Sequence, residues 1–191
     1  MGVSLTWVAV KGLALDQVLS RLALARTGAT CSYPVDGVAC HPLAGDGWLV
    51  IANRCDHRIG DDAGMASLSA GCEALVCHVE EHVAFARCAV WRDGGQSWQV
   101  THEGSEDEED ISWEGEPPAR FHALLEGVRV DNDYDNDEDP DAWFHMDIPL
   151  ILASEIAGYR HDADDPAFDA QPFEALRDLR PGKPWWRRLF R

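Results

Sequence analysis

The chain has 191 residues, 46% of them hydrophobic, and its 34 acidic and 16 basic residues give a formal net charge of −18. This length and composition are sufficient for one sizeable hydrophobic core, and the negative charge repels nucleic acid and anionic membrane surfaces. The longest apolar stretches, such as residues 148–153, are far shorter than the roughly 20 residues that span a bilayer. We therefore expect no nucleic-acid partner, no membrane partner, and a basic protein surface as the favoured partner.

The N-terminal and cysteine patterns both favour a cytoplasmic protein. Lys11 interrupts the first apolar run and no small-residue cleavage site follows it, so we expect no secretory signal. The six cysteines include no CxxC pair, which predicts reduced thiols rather than a disulfide framework. They are Cys31, Cys40, Cys55, Cys72, Cys77 and Cys88.

The first quarter of the chain predicts a strand, a helix and a second strand. Residues 7–10 form a β-rich run, and residues 14–24 place leucine and valine at the spacing of one helical face. Gly28 is expected to end the helical region. Prolines and turn residues predict a loop or irregular hairpin over 27–46, before a strand at 48–53.

The strongest periodicity predicts an antiparallel meander. Residues 74–79 and 83–91 alternate in character, residues 92–95 have turn chemistry, and residues 97–101 resume the alternation. An acidic run follows, after which residues 111–113 predict a short edge strand.

Two further helices are predicted in the second half of the chain. Pro118 is expected to begin one whose apolar face includes Phe121 and Leu124. Asp147 is expected to cap the other, which Gly158 should terminate.

The fold class that follows is a single α+β domain over residues 1–176, with an antiparallel β-meander sheet and about three to four helices packed on it. Residues 172–179 predict the last short helix. Acidic loops are expected at 103–116 and 131–141, with eight and seven carboxylates respectively. Residues 177–191 form a basic, aromatic C-terminal tail.

The tail reverses the charge of the rest of the chain. It has six basic residues and one acidic residue, so residues 1–176 carry 10 basic and 33 acidic residues, a net charge of −23. The tail could bind an anionic surface. The favoured alternative is that Trp185, Trp186 and Phe190 pack across an acidic face of their own domain.

One motif suggests a metal site. His78, Glu81 and His82 match the H-x-x-E-H pattern, in which a helix brings two imidazoles to a zinc ion beside a carboxylate base. The flanking residues predict strands instead, with the chain reversing near Glu80 and Glu81, so the imidazoles should not converge. We expect no metal site here, and keep a metal-dependent hydrolase as the alternative function.

A second motif resembles part of a calcium loop. Asp131, Asp133 and Asp135 repeat its D-x-D-x-D opening, but Asn136 and Ala142 replace the glycine and the bidentate glutamate. A solvated acidic loop is therefore expected, with a weak calcium site as the alternative. Because the chain also lacks GxSxG, GxxxxGK[ST] and GxGxxG motifs, we predict no catalytic residue and no cofactor.

Four segments make up about a third of the chain: residues 4–12, 47–54, 72–104 and 147–162. Together they resemble a widespread group of bacterial cytoplasmic proteins found in toxin and immunity gene neighbourhoods. The resemblance implies a small α+β domain and an inhibitor or immunity role, and it carries no catalytic residue. The acidic loops fall between the matching segments, where partner specificity can vary on a fixed scaffold.

The function we predict is an immunity-type inhibitor that binds and neutralises a basic toxin domain through its acidic loops. Neighbouring aromatics could anchor the interface or belong to the core. A housekeeping acidic domain is a third alternative. The predicted contact residues are Glu106, Asp107, Glu108, Glu109, Asp110, Trp113, Asp131, Asp133, Tyr134, Asp135, Asp137, Glu138, Asp139 and Asp141.

Overall fold

The computed structural model describes residues 2–33, 35–105, 110–128, 144–163 and 171–180. Within these residues the strands are β1 (Ser4–Lys11), β2 (Leu24–Cys31), β3 (Val38–Leu43), β4 (Gly47–Ala52), β5 (Glu73–Glu80), β6 (Phe85–Arg92), β7 (Gly95–Glu103), β8 (Ile111–Gly115) and β9 (Phe173–Asp178). The helices are α1 (Leu15–Leu22), α2 (Asp62–Leu68), α3 (Ala119–Gly127) and α4 (Asp147–Ala157), with 3₁₀ turns at Arg58–Gly60 and Glu81–Val83.

All nine strands join one antiparallel sheet in the order β2-β9-β3-β4-β1-β5-β6-β7-β8. The strands β5 to β8 follow one another as a meander, so each pairs with its neighbour in the sequence. The strand β9 instead lies between β2 and β3, far from its neighbours in the sequence. The predicted fold class is therefore confirmed.

Helices cover both faces of the sheet. In β1, Trp7 belongs to the core beneath α3 and α4, whereas Val8 belongs to the core beneath α1 and α2. Successive strand residues point to opposite faces, so a central strand between two layers of helices must be apolar on both sides. Thr6 is the polar exception in the middle of β1 and is fully buried.

Several predicted elements have close counterparts in the structure. The predicted strands at 7–10, 48–53 and 111–113 correspond to β1, β4 and β8, and the predicted meander corresponds to β5, β6 and β7. The predicted helix at 14–24 corresponds to α1, which ends at Leu22, well before Gly28, because the following residue, Ala23, adopts a left-handed conformation. Pro118 is the N-cap of α3, and Gly158 ends α4. The predicted cap at Asp147 is wrong, because Met146 is the N-cap of α4 and Asp147 is its first helical residue.

Two predictions about the end of the sheet formed by β2, β9 and β3 are wrong. Residues 27–46 are neither mainly a loop nor one hairpin, because they contain the end of β2 and all of β3, and β9 lies between these two strands. The helix predicted at 172–179 is absent, because Phe173–Asp178 form β9. The strand β2 was missed because it is an edge strand with mostly exposed side chains. The strand β9 was missed because its sequence, FEALRD, contains good helix formers. The helix α2 was not predicted.

The predicted tail begins inside the sheet, since Arg177 and Asp178 belong to β9, and residues 181–191 lie outside the described residues. Residues 131–141, and with them the calcium-like motif, also lie outside. None of the helices in the described part combines the length and apolar character needed to cross a bilayer.

Candidate binding site on the open face of the sheet

A transverse row of polar residues crosses five neighbouring strands. Directly paired residues of adjacent strands point to the same face of a sheet. The residues of this row lie on the face against which α1 and α2 pack. We call this set the polar row. It consists of Thr6 on β1, His78 on β5, Arg87 on β6, Thr101 on β7 and Ser112 on β8.

Helices cover only part of this face. The helix α2 packs on β5 and β6, but further along the sheet Glu103, Ser112 and Glu114 are exposed. Cavities of about 520 and 560 Å³ lie over the open part and share Phe85 and Arg87. We call them together the acidic groove. Its charged residues are Arg87 and five carboxylates: Asp56, Asp62, Glu80, Glu103 and Glu114.

His78 is held in one tautomer at the edge of the groove. Its Nδ1 atom donates to the Cys55 carbonyl oxygen at 2.8 Å, and the Thr6 hydroxyl donates to the same oxygen. The Nε2 atom is therefore left with a lone pair, and among the described residues it has no hydrogen-bond partner, although His78 is only 8% exposed.

The environment keeps His78 neutral. Burial lowers the pKa of His78 and the positive charge of Arg87 adds to that effect, while the backbone groups of Cys55 and Gly60 oppose it. A histidine with a lowered pKa is uncharged near pH 7, so Nε2 can accept a hydrogen bond from a ligand.

Two more buried polar atoms of the row lack partners. The Nη2 atom of Arg87 donates to Gln96 at 3.1 Å, and Gln96 in turn donates to Glu114 at 3.3 Å. The Nε atom of Arg87 and the hydroxyl of Thr101 have no hydrogen-bond partner within the described residues. Leaving a buried polar atom unpaired costs about 1–3 kcal/mol, so such atoms need water or a ligand. Three of them on one open face indicate a binding site.

The thiol of Cys55 lines the groove but is not activated as a nucleophile. Burial raises the pKa of the Cys55 thiol to about 11, with the negative charge of Glu80 acting in the same direction. The thiol is therefore protonated at neutral pH, whereas cysteine attacks as the thiolate. The arrangement supports recognition by hydrogen bonds and charge better than covalent chemistry.

The structure separates the residues of the H-x-x-E-H motif. The predicted hairpin is confirmed, with His78 on β5 and both Glu81 and His82 in the 3₁₀ turn before β6. Glu81 accepts the backbone N–H of Val3 at 2.7 Å and lies 3.2 Å from the ring of His161. The described residues contain no group of three or more potential ligands placed to hold a metal ion.

Two of the predicted contact residues are described. Asp110 is exposed beside β8, and its carbonyl oxygen lies 2.8 Å from Nδ1 of His102. Trp113 is 47% exposed and its ring centroid is 5.1 Å from that of Phe121 on α3, so it points away from the groove, toward the other face. The others lie outside the described residues: Glu106, Asp107, Glu108, Glu109, Asp131, Asp133, Tyr134, Asp135, Asp137, Glu138, Asp139 and Asp141.

The sequence predictions missed Arg87, Thr101 and Phe85 as site residues. The sequence contains a signal for this surface. Positions 85 and 87 of one predicted strand, and positions 99 and 101 of the next, alternate with buried positions, and none of these four residues is aliphatic. A face of that composition is not core.

The chain matches no protein-family model, no curated protein and no solved structure. Function must therefore be inferred from the groove and the charge.

Proposed function

We propose that this protein is an immunity-type inhibitor that binds and neutralises a basic toxin domain. The observation that carries the proposal is the acidic groove, where five carboxylates and one arginine surround three unpartnered polar atoms of the polar row. A basic surface supplies both the charge that this groove lacks and the donors and acceptors that its floor can bind.

The position of the groove agrees with the distribution of charge along the chain. Glu103 on β7 and Glu114 on β8 belong to both the groove and the acidic segment 103–116. The eight carboxylates of this segment are part of the excess of acid that gives the chain its net charge of −18. Such a potential accelerates encounter with a basic protein at low salt before it adds affinity.

A toxin that acts on nucleic acid or nucleotides has a positive cleft for phosphate, and an acidic surface can occupy that cleft. This supports an inhibitor rather than the hydrolase alternative. The hydrolase would need Glu81 as a free base beside two convergent imidazoles, but Glu81 already binds Val3 and His161.

The proposal is tested by isothermal titration of the purified protein with the product of the adjacent reading frame, across a salt series. We expect a one-to-one complex whose association rate, followed by stopped-flow, falls as salt rises from about 50 to 500 mM. Glu103→Gln and Glu114→Gln should weaken binding. Glu126→Gln is the matched control, because Glu126 is exposed on α3, which packs on the opposite face. No binding by the wild type, or equal effects of all three variants, would overturn the proposal.

A further inference from the structure

We infer that the acidic groove recognises an arginine side chain of an extended segment of its partner, stacked on Phe85 between the carboxylates of Glu80 and Glu103. The inference rests on the proposed function for its partner class. It goes further in naming the recognised side chain and the residues that bind it.

The register of the sheet places one aromatic ring between two acids. Phe85 on β6 pairs directly with Glu80 on β5 and with Glu103 on β7. Paired residues share a face of the sheet, and all three side chains line the groove. Because adjacent strands lie about 4.8 Å apart, each carboxylate is next to the ring. Phe85 is half-buried, and neither carboxylate has a hydrogen-bond or ion-pair partner within the described residues.

This arrangement fits a guanidinium better than an ammonium group. The planar guanidinium stacks on an aromatic face and presents parallel N–H groups to a carboxylate, whereas lysine offers a compact, strongly hydrated charge. A ring flanked by two carboxylates meets both requirements of arginine at once.

The polar row supplies a second set of contacts beside the ring. The side chain of His78 is more than nine-tenths buried, and its Nε2 lone pair can accept an N–H group from the partner. The Nε–H of Arg87 and the Thr101 hydroxyl can donate to a main-chain carbonyl. One part of the groove therefore fits a cationic side chain, and the neighbouring part fits a main-chain amide. An extended basic segment supplies both.

The test compares three peptides of sequence GSXGXGXSG, in which X is arginine, lysine or citrulline, by isothermal titration at about 20 mM salt. Citrulline keeps the shape of arginine without its charge. We expect the arginine peptide to bind about two- to fivefold more tightly than the lysine peptide, as cation–π stacking at an exposed site predicts. The citrulline peptide should bind at least about tenfold more weakly. Equal binding of the arginine and citrulline peptides would overturn the inference.

Variants assign the effect to the groove. Phe85→Leu should remove the preference for arginine over lysine, and Glu80→Gln and Glu103→Gln should each weaken the arginine peptide several-fold. Glu126→Gln changes the net charge equally on the other face and should leave the affinity unchanged. If Phe85→Leu fails to fold by circular dichroism, the two glutamine variants decide the question. Unchanged arginine binding in these groove variants would refute the site.

The two proposals can fail separately. If the adjacent gene product binds the wild type and the Phe85→Leu variant equally well, the groove assignment is wrong and the partner class stands. If that protein does not bind, but the arginine peptide binds the groove as described, the immunity role is wrong and the site stands.

Discussion

Glu81 and His161 are 80 residues apart in the sequence, yet Oε1 of Glu81 lies 3.2 Å from Nε2 of His161. The His161 side chain is only 2% exposed, and the second oxygen of Glu81 accepts the backbone N–H of Val3. Glu81 therefore joins the turn of the β5–β6 hairpin to the start of β1 and to the segment after α4. The glutamate that gives the motif its resemblance to a zinc site has a structural role.

Replacing Glu81 with alanine should lower the free energy of unfolding by about 1–3 kcal/mol, because a buried ring nitrogen and a backbone N–H lose their partner. Glu80→Ala is the matched control. Glu80 has no partner within the described residues, so its loss should change stability by less than about 0.5 kcal/mol. Urea unfolding of both variants measures the difference, and equal effects would refute the structural role of Glu81.

Protein purified without a metal-affinity tag should contain no stoichiometric zinc. The Nδ1 atom of His78 is bonded to the Cys55 carbonyl, and the carboxylate of Glu81 is occupied. Elemental analysis measures the zinc content directly. One zinc ion per chain that is lost in His82→Ala would restore the hydrolase alternative.

The free energy of unfolding should fall as the pH drops from 7 to 5. Burial is the main cause that lowers the pKa values of His57, His78 and His102 below the ordinary 6.5. The unfolded chain then takes up protons near pH 6.5, while the folded chain takes them up only at lower pH. The stabilisation that these three histidines provide is complete above the unfolded pKa of 6.5 and is lost as the pH falls toward their folded pKa values.

Urea unfolding at pH 7, 6 and 5 tests this pH dependence. His78→Gln should flatten the slope, because it removes one of the three groups. Parallel curves for the wild type and His78→Gln would show that His78 does not contribute.

Gly60→Ala should destabilise the protein by about 1–3 kcal/mol through overpacking. A Cβ atom at Gly60 would lie 2.6 Å from Cε1 of His78 and 2.6 Å from Cγ2 of Thr6. Gly95→Ala is the control, since the nearest heavy atom to its Cβ would be the Arg92 carbonyl oxygen at 3.8 Å. Thermal unfolding of both variants measures the difference. An unchanged melting temperature in Gly60→Ala would show that the Arg58–Gly60 turn can shift to accommodate a methyl group without loss of stability.

Reversing Asp133, Asp135, Asp137 and Asp139 to lysine should weaken binding of the basic partner by orders of magnitude if this acidic run contacts it, since like charges across an interface cost several kcal/mol. If the run is the solvated loop that the sequence predicts, the melting temperature should stay within a few degrees of the wild type, because solvated loop positions each change stability by less than about 0.5 kcal/mol. Calorimetry and partner titration give the two values. Loss of the fold would instead show that the run is structural.

The meander could be predicted because β5, β6 and β7 pair with one another through consecutive short turns, so local alternation and turn residues reveal them. Alternation predicts β5, β6 and β7, and the Asp93-Gly94 pair, both residues with positive φ, predicts the turn between β6 and β7. The strand β9 could not be predicted in this way. Its sequence, FEALRD, contains good helix formers, and it is a strand because it pairs with β2 and β3 and buries Phe173 and Leu176.

The acidic groove was harder to predict than the strands that form it. Its central relationship, Phe85 between Glu80 and Glu103, depends on register across two hairpins, and a slip of one residue would turn Phe85 toward the opposite face. The unpartnered atoms of His78, Arg87 and Thr101 depend in addition on where α2 and the Arg58–Gly60 turn stop covering the sheet. That boundary is a tertiary property.

The position of β9 affects how the chain can fold during translation. Among the described strands, the edge strand β2 pairs only with β9. The strand β9 begins at Phe173, 142 residues after β2 ends at Cys31. A nascent chain can complete the meander as soon as β8 has left the ribosome, but β2 and one side of β3 must then wait with unpaired backbone groups for residues 173–178. We expect ribosome-stalled chains that lack β9 to show protease cleavage within β2 while β5 to β7 are already protected.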